Sequence, residues 1–130
     1  MKAVILAAGT ASRLRPLTLH TPKCLLRVGE RSLLRRSMDA LIANGIRDFV
    51  IVVGYLHEMI EDFVAKEFGD SIRVTFIYNE AFESTNNIYS LWLARPEAED
   101  EDILLLDSDL LYDPQIITKV LGADAENVLT

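Results

Sequence analysis

With 130 residues, 50% of them hydrophobic, the chain holds enough apolar material for one domain with its own core. No apolar run approaches the roughly 18 residues of a membrane span and no charged-then-apolar leader is visible, so a cytoplasmic domain without a membrane span is expected. The net charge of −7 opposes sliding on nucleic acid, and a single cysteine, Cys24, excludes an internal disulfide and suits a reducing compartment.

The elements alternate along the chain. Ala3 to Leu6 is short, apolar and β-branched, which predicts a central parallel strand whose C-terminal end delivers Gly9 to the sheet edge where ligands of open α/β sheets collect. A long loop from Ala8 to about Pro22 follows, restricted by Pro16 and Pro22. Leu33, Leu34, Met38, Leu41 and Ile42 recur at helical spacing from about Ser32, with Asn44-Gly45 as the stop. Phe49 to Val53, ended by Gly54, is the second strand. Met59, Ile60, Phe63 and Val64 mark a second helix closing near Gly69, and Ile72 to Tyr78 reads as a strand. Ser84 or Thr85 is placed to cap a third helix through Ile88, Leu91 and Trp92, ended by Pro96. Ile103 to Leu106 is a strand, and Asp113-Pro114 opens a helix through Ile116, Ile117, Val120 and Leu121 with Gly122 behind it. Asn127 to Thr130 reads as the start of a further strand. On that reading the chain is the N-terminal portion of a longer domain, or a short form that needs a partner, a second copy included, to complete its site. Strand and helix in alternation predict a parallel sheet wrapped by helices.

The loop after the first strand is suited to phosphate. A dinucleotide fingerprint would need GxGxxG, but Gly9 is followed by Ala11 and Leu14; a Walker A loop would need Gly-Lys-Ser/Thr where Leu14-Arg15-Pro16 stand. Both fail, leaving an excursion studded with Arg13, Arg15 and Lys23. Charge points the same way. Residues 1–36 hold eight basic residues against one acid, a balance of +7, while the other 94 hold five basic and nineteen acidic, −14. Such a concentration focuses a small anion at one spot. Arg31, Arg35 and Arg36 read as the solvated face of a helix, whereas Arg13 and Lys23 are fixed in the loop.

Residues 6–34, LAAGTASRLRPLT…PKCLLRVGERSLL, resemble the signature of the nucleotidyltransferase family that makes sugar nucleotides and CDP-alcohols. The resemblance implies a three-layer α/β/α fold with a mostly parallel, Rossmann-like sheet, of which residues 1–130 are the nucleotide-binding portion. It also implies attack by a phosphomonoester, such as phosphocholine or a sugar 1-phosphate, on the α-phosphorus of a nucleoside triphosphate, with Mg²⁺ present and pyrophosphate leaving. By the same resemblance Leu6, Ala7, Ala8, Gly9, Thr10, Ala11 and Ser12 form the nucleotide-binding stretch, amides from Ala8 to Ser12 cradling the triphosphate. Arg13 holds its β and γ groups, Lys23 offsets charge on the α-phosphate, and Asp109 in LLLDSDLLYDP matches the metal-binding aspartate. Ala11 stands where the family usually has a second glycine, a place where a methyl group opposes a positive φ or a close approach to phosphate.

Asn86-Asn87-Ile88-Tyr89-Ser90-Leu91 resembles the YNNxYSL stretch of bacterial choline-phosphate cytidylyltransferases, implying cytidine as the base. The residues themselves leave two readings open: the Asn86 and Asn87 amides read a pyrimidine edge, or they cap and start the helix. Cys24 reads as a small buried hydrophobe, and His20 and His57 stand alone, against zinc. Tyr89, Trp92, Tyr55 and Tyr112 read as core, and the acidic run Glu97 to Asp102 as a solvated turn. The resemblance also implies a second metal-binding aspartate further along than this chain extends; the rival function, favoured by its absence, by Ala11 and by the short chain, is a nucleotide-binding or regulatory module without turnover.

Overall fold

The computed structural model describes residues 1–130. Strand β1 (Lys2–Ala7) runs into the long loop, which carries 3₁₀ turns at Ser12–Leu14 and Lys23–Leu25. A small antiparallel hairpin, β2 (Arg27–Val28) and β3 (Arg31–Ser32), turns at Gly29 with a φ of 73° and leads into α1 (Leu33–Ala43). Then come β4 (Asp48–Val53), α2 (His57–Phe68), β5 (Arg73–Tyr78), α3 (Asn87–Ala98), β6 (Ile103–Asp107) and α4 (Gln115–Leu121). The four long strands form one fully parallel sheet in the order β5-β4-β1-β6, so β1 is central as its composition predicts. No helix is long and apolar enough to cross a membrane.

Side-chain alternation sorts the sheet into two buried faces. Ala3, Ile5 and Ala7 of β1 and Phe49, Ile51 and Val53 of β4 pack on Leu34, Met38 and Leu41 of α1, on Ile60 and Val64 of α2, and on Ile117 of α4. Val4, Leu6, Val50 and Val52 face the other way, onto Ala94 and Ala98 of α3. Both central strands are therefore apolar at nearly every position, and the fold is the three-layer α/β/α arrangement expected. Each fully buried Ile or Leu contributes about 1.5–3 kcal/mol of apolar burial.

Local chemistry fixes the element ends. The Ser32 hydroxyl accepts a bond from the Arg35 N–H at 3.1 Å, capping α1, and the turn behind it closes on Gly45 with a φ of 86°. At Gly54, the first residue after β4, an added Cβ would lie 2.6 Å from the Phe82 Cβ and 3.0 Å from the Ala8 carbonyl oxygen. Gly54→Ala is expected to cost about 1–3 kcal/mol, an overpacking penalty read as a lower urea midpoint; an unchanged midpoint would show that the β4 end relaxes freely.

Five expectations need correcting. The cap of α3 is Asn86, whose Oδ1 accepts from the Ile88 and Tyr89 N–H groups at 3.1 and 3.4 Å. Thr85 and Ser84 instead donate to the Ala81 carbonyl, closing the preceding turn. Pro96 does not end α3 but sits inside its last turn: a proline there forfeits only its own backbone bond, and the helix closes beyond it with the Glu99 N–H on the Arg95 carbonyl at 3.0 Å. The apolar face of α3 is also not the one its large residues suggest. Ser90, Ala94 and Ala98, one turn apart, are buried against β1 and β4, because small side chains let the helix approach the sheet closely, while Ile88 and Trp92 are 77% and 60% exposed. Helix α4 starts at Gln115, one residue later than expected, with Asp113 Oδ1 accepting the Gln115 N–H at 2.9 Å. Asn127 to Thr130 forms no strand; Val128 and Leu129 border the apolar hollow beside β6 without joining its ladder.

Candidate active site

The C-terminal ends of β1 and β6 and the loops after them enclose a polar cavity of about 490 Å³. From β1 and its loop come Leu6, Ala7, Gly9, Thr10, Ala11, Ser12 and Arg13; from the second 3₁₀ turn, Lys23 and Cys24; from the start of α3, Asn87; and from the end of β6, Asp107, Ser108 and Asp109. Parallel topology makes this meeting possible: β1 and β6 are neighbours running the same way, so residues a hundred positions apart leave the sheet side by side. The Ser108 N–H donating to the Leu6 carbonyl at 3.3 Å ties the two strand ends together.

Two polar pairs define the cavity's charge. Lys23 Nζ sits 2.9 Å from Asp109 Oδ2, across 86 residues of sequence. Both side chains are about one-third exposed, at 34% and 38%, so the pair contributes at most about 1 kcal/mol to stability. Its value lies in placement. Asn87 Nδ2 donates to Asp107 Oδ1 at 2.9 Å, joining the start of α3 to the end of β6.

Two of the sequence-predicted site residues fall outside this cavity. Ala8 is buried on the α3 side, its carbonyl accepting the Tyr55 N–H at 3.1 Å. Asn86 spends its side-chain oxygen on the helix cap and lines a separate shallow hollow with Glu83, Ser84, Thr85 and Tyr89. The other ten are gathered together. Arg31, Arg35 and Arg36 stay away from the cavity, although Arg31 lies in β3 and not on the helix face expected: Arg31 and Arg35 pair with Asp39 at 2.8 and 3.0 Å, Arg35 also reaches Glu67 at 2.7 Å, and Arg36 Nε bonds the Val28 carbonyl at 3.1 Å. His57 is held by Glu61 at 2.9 Å and packs on the Tyr78 ring, away from the cavity.

The loop's shape depends on residues that composition alone does not single out. Thr18 is fully buried, its hydroxyl donating to the Ala11 carbonyl at 2.9 Å, and the Tyr55 hydroxyl donates in turn to the Thr18 carbonyl. No local signal marks Thr18, because the same proline-flanked stretch also holds His20 and a second hydroxyl, Thr21. This tie holds Ala11 with φ 49° and ψ 42°, the left-handed conformation that costs an L-residue roughly 1–2 kcal/mol. Ala11→Gly is therefore expected to stabilise the chain by about 1 kcal/mol, raising the melting temperature by a few degrees; a lower melting temperature would show that loop entropy outweighs the relieved strain.

Gly9 is different. Its φ lies outside the left-handed range, and a Cβ built on it meets no protein atom within 4 Å. Nothing inside the protein demands glycine there; what a side chain would fill is the cavity itself.

Cys24 lines the cavity from behind at 1% exposure, and burial pushes its thiol up to about 12. That excludes a thiolate nucleophile at neutral pH. No group of three His, Cys, Asp or Glu side chains gathers anywhere in the chain, which leaves Asp107 and Asp109 as the carboxylates at the cavity. A larger hollow of about 590 Å³ runs along the free edge of β6, between α3 and α4, but its lining is almost wholly aliphatic and offers no cation for a phosphate.

The family model for nucleotidyl transferases matches residues 2–128, nearly the whole chain. The chain belongs to the nucleotidyltransferase family. The chain is 38% identical over 110 residues to the choline-phosphate cytidylyltransferase of Streptococcus pneumoniae, an alignment covering 85% of the chain and 46% of the relative. It is 32% identical over 115 residues to the mannose-1-phosphate guanyltransferase of Gibberella zeae, covering 87% of the chain and 31% of that relative. Among solved structures, the inositol-1-phosphate CTP transferase from T. maritima superimposes with a TM-score of 0.81 at 30% identity, over 96% of the chain and 49% of that protein. The chain thus spans about half the length, or less, of these relatives.

Proposed function

We propose that this chain supplies the nucleotide-binding part of a Mg²⁺-dependent nucleotidyl transfer. The donor is CTP, the acceptor a phosphomonoester such as phosphocholine or a sugar 1-phosphate, and the leaving group pyrophosphate. The observation that carries this reading is the convergence of Gly9, Arg13, Lys23 and Asp109 on one cavity at the C-terminal edge of a parallel sheet. Family membership supports the transfer, and the S. pneumoniae and T. maritima relatives, named for cytidylyl and CTP transfer, support the base.

In this mechanism no side chain becomes a nucleophile. An oxygen of the acceptor's phosphate forms a bond to the α-phosphorus as the bond from that phosphorus to the bridging oxygen of the β-phosphate breaks. Backbone amides from Gly9 to Ser12 meet the triphosphate, Arg13 holds the departing β and γ groups, and Lys23 offsets charge that develops on the α-phosphate. The residues present fit a hard divalent cation: Asp109 offers carboxylate oxygen at the cavity, and Mg²⁺ is ordinarily held by one or two carboxylates with water and substrate phosphate completing its shell. Bound there, the ion would supply charge neutralisation to the triphosphate. Lys23 pairs with the same carboxylate at 2.9 Å.

One observation favours binding without turnover: Ala11, where the family usually has a glycine, lines the cavity in a left-handed conformation. Titrating CTP with Mg²⁺ and then assaying pyrophosphate release with phosphocholine separates the two readings. Release above background is the expected result. Binding with no release from any phosphomonoester acceptor would assign the chain as a nucleotide-binding module.

A further inference from the structure

We propose that Asp107 is a positioning residue that sets which end of the Asn87 amide the nucleoside meets, and thereby tunes which nucleotide is accepted. This rests on the nucleotide-binding reading of the cavity. Asn87 is the first residue of α3 and Asp107 the last of β6; Asn87 Nδ2 donates to Asp107 Oδ1 at 2.9 Å. A carboxylate has only acceptor oxygens, so of the two ends of an amide it can be satisfied only by the NH₂. The orientation of Asn87 is therefore decided by chemistry, and its Oδ1, which no protein group bonds, is the acceptor it presents to a ligand.

Both residues line the cavity with Gly9 and Lys23. The neighbouring amide does not compete, because Asn86 Oδ1 is already committed to two backbone N–H groups of α3. A nucleoside that meets Asn87 Oδ1 must then bring a hydrogen-bond donor. The groups with that chemistry include the exocyclic amine of cytosine, the ring N3–H of uracil and a ribose hydroxyl, and only the first and last of these are present on CTP. A keto edge, as on uracil, would face oxygen with oxygen.

Asp107→Asn reverses the constraint while keeping size. The new amide can donate its own NH₂ to Asn87 Oδ1, freeing Asn87 Nδ2 for the cavity, so an acceptor edge becomes acceptable. The substitution also removes a negative charge, which raises affinity for all triphosphates alike and cancels in a ratio of two affinities.

The test is isothermal titration of the 130-residue chain and its Asp107→Asn variant with CTP, UTP and 2′-deoxy-CTP in the presence of Mg²⁺. If the exocyclic amine is the donor, the CTP preference over UTP falls about tenfold in the variant while the ratio of CTP to 2′-deoxy-CTP stays put. If the ribose hydroxyl is the donor, the second ratio falls and the first does not; either result supports the assignment and names the group. Asp107→Ala, which leaves the amide unanchored, is expected to bring the sensitive ratio toward one. Nucleotide binding with both ratios unchanged in both variants would overturn the role of Asp107 and leave the cavity's function standing. Failure of the wild-type chain to bind any of the three would overturn the nucleotide reading with it.

Discussion

Replacing Lys23 with alanine is expected to lower kcat for pyrophosphate release by about 10²-fold or more, with little change in folding. The two halves of that result have separate causes. A preorganised cation facing charge that develops in the transition state is worth about 10²–10³ in rate, because it stabilises the transition state more than the bound substrate. Folding is nearly indifferent because the Lys23–Asp109 pair is about one-third exposed and contributes at most about 1 kcal/mol. The ammonium is therefore held in place by Asp109 without being essential to the core. An unchanged kcat at saturating CTP, in a variant that melts like the parent, would remove Lys23 from the mechanism.

A bulky side chain at residue 9 separates ligand space from protein space. Gly9→Val is expected to weaken CTP binding by at least about tenfold while leaving the melting temperature within about two degrees of the parent. The added side chain meets no protein atom within 4 Å of its Cβ, so the fold has nothing to lose, whereas the volume it takes is part of the cavity that also holds Arg13, Lys23 and Asp109. A contrast is built into the same chain: at Gly54 an added Cβ runs into Phe82 and the Ala8 carbonyl, so there the cost is expected in stability. Normal CTP affinity in Gly9→Val would mean that phosphate does not approach the loop at that point.

What the sequence discloses follows from how local the responsible physics is. The apolar runs of β1 and β4 and the 3.6-residue pattern of α1 and α2 are legible because each segment is buried by its own periodicity. Helix α3 breaks the rule. Its packed stripe is Ser90, Ala94 and Ala98, chosen for close approach to the sheet, while its large residues Ile88 and Trp92 turn outward, so hydrophobicity points to the wrong face. The two-residue strands of the β2–β3 hairpin are too short to carry a pattern at all.

The site divides in the same way. That Gly9, Arg13, Lys23 and Asp109 belong together is readable from the motif and from the rule that parallel strands end on one edge. The positive φ at Ala11 is foreshadowed by the glycine that the family usually carries there. The Asp107–Asn87 contact is not readable, because it joins two elements whose separation in space is set only by how α3 packs across the sheet. Nor does the sequence show that Asn86, one residue away, is consumed by a cap while Asn87 stays available; a single residue of register at the helix start decides it. The Thr18 and Tyr55 ties that shape the loop after β1 are likewise tertiary, bridging it to the end of β4.

An anion cradle at the bend after β1, facing Asp109, is what joins this fold to the proposed chemistry. The most direct measurement is a titration of the ¹⁵N-labelled chain with CTP and Mg²⁺, followed by backbone amide shifts. A cradle predicts that the amides from Gly9 to Arg13 move together with those of Lys23 and Asp109 and saturate at one dissociation constant. Shifts confined to the apolar hollow around Leu105 and Ile116, with Gly9 to Arg13 unmoved, would contradict it.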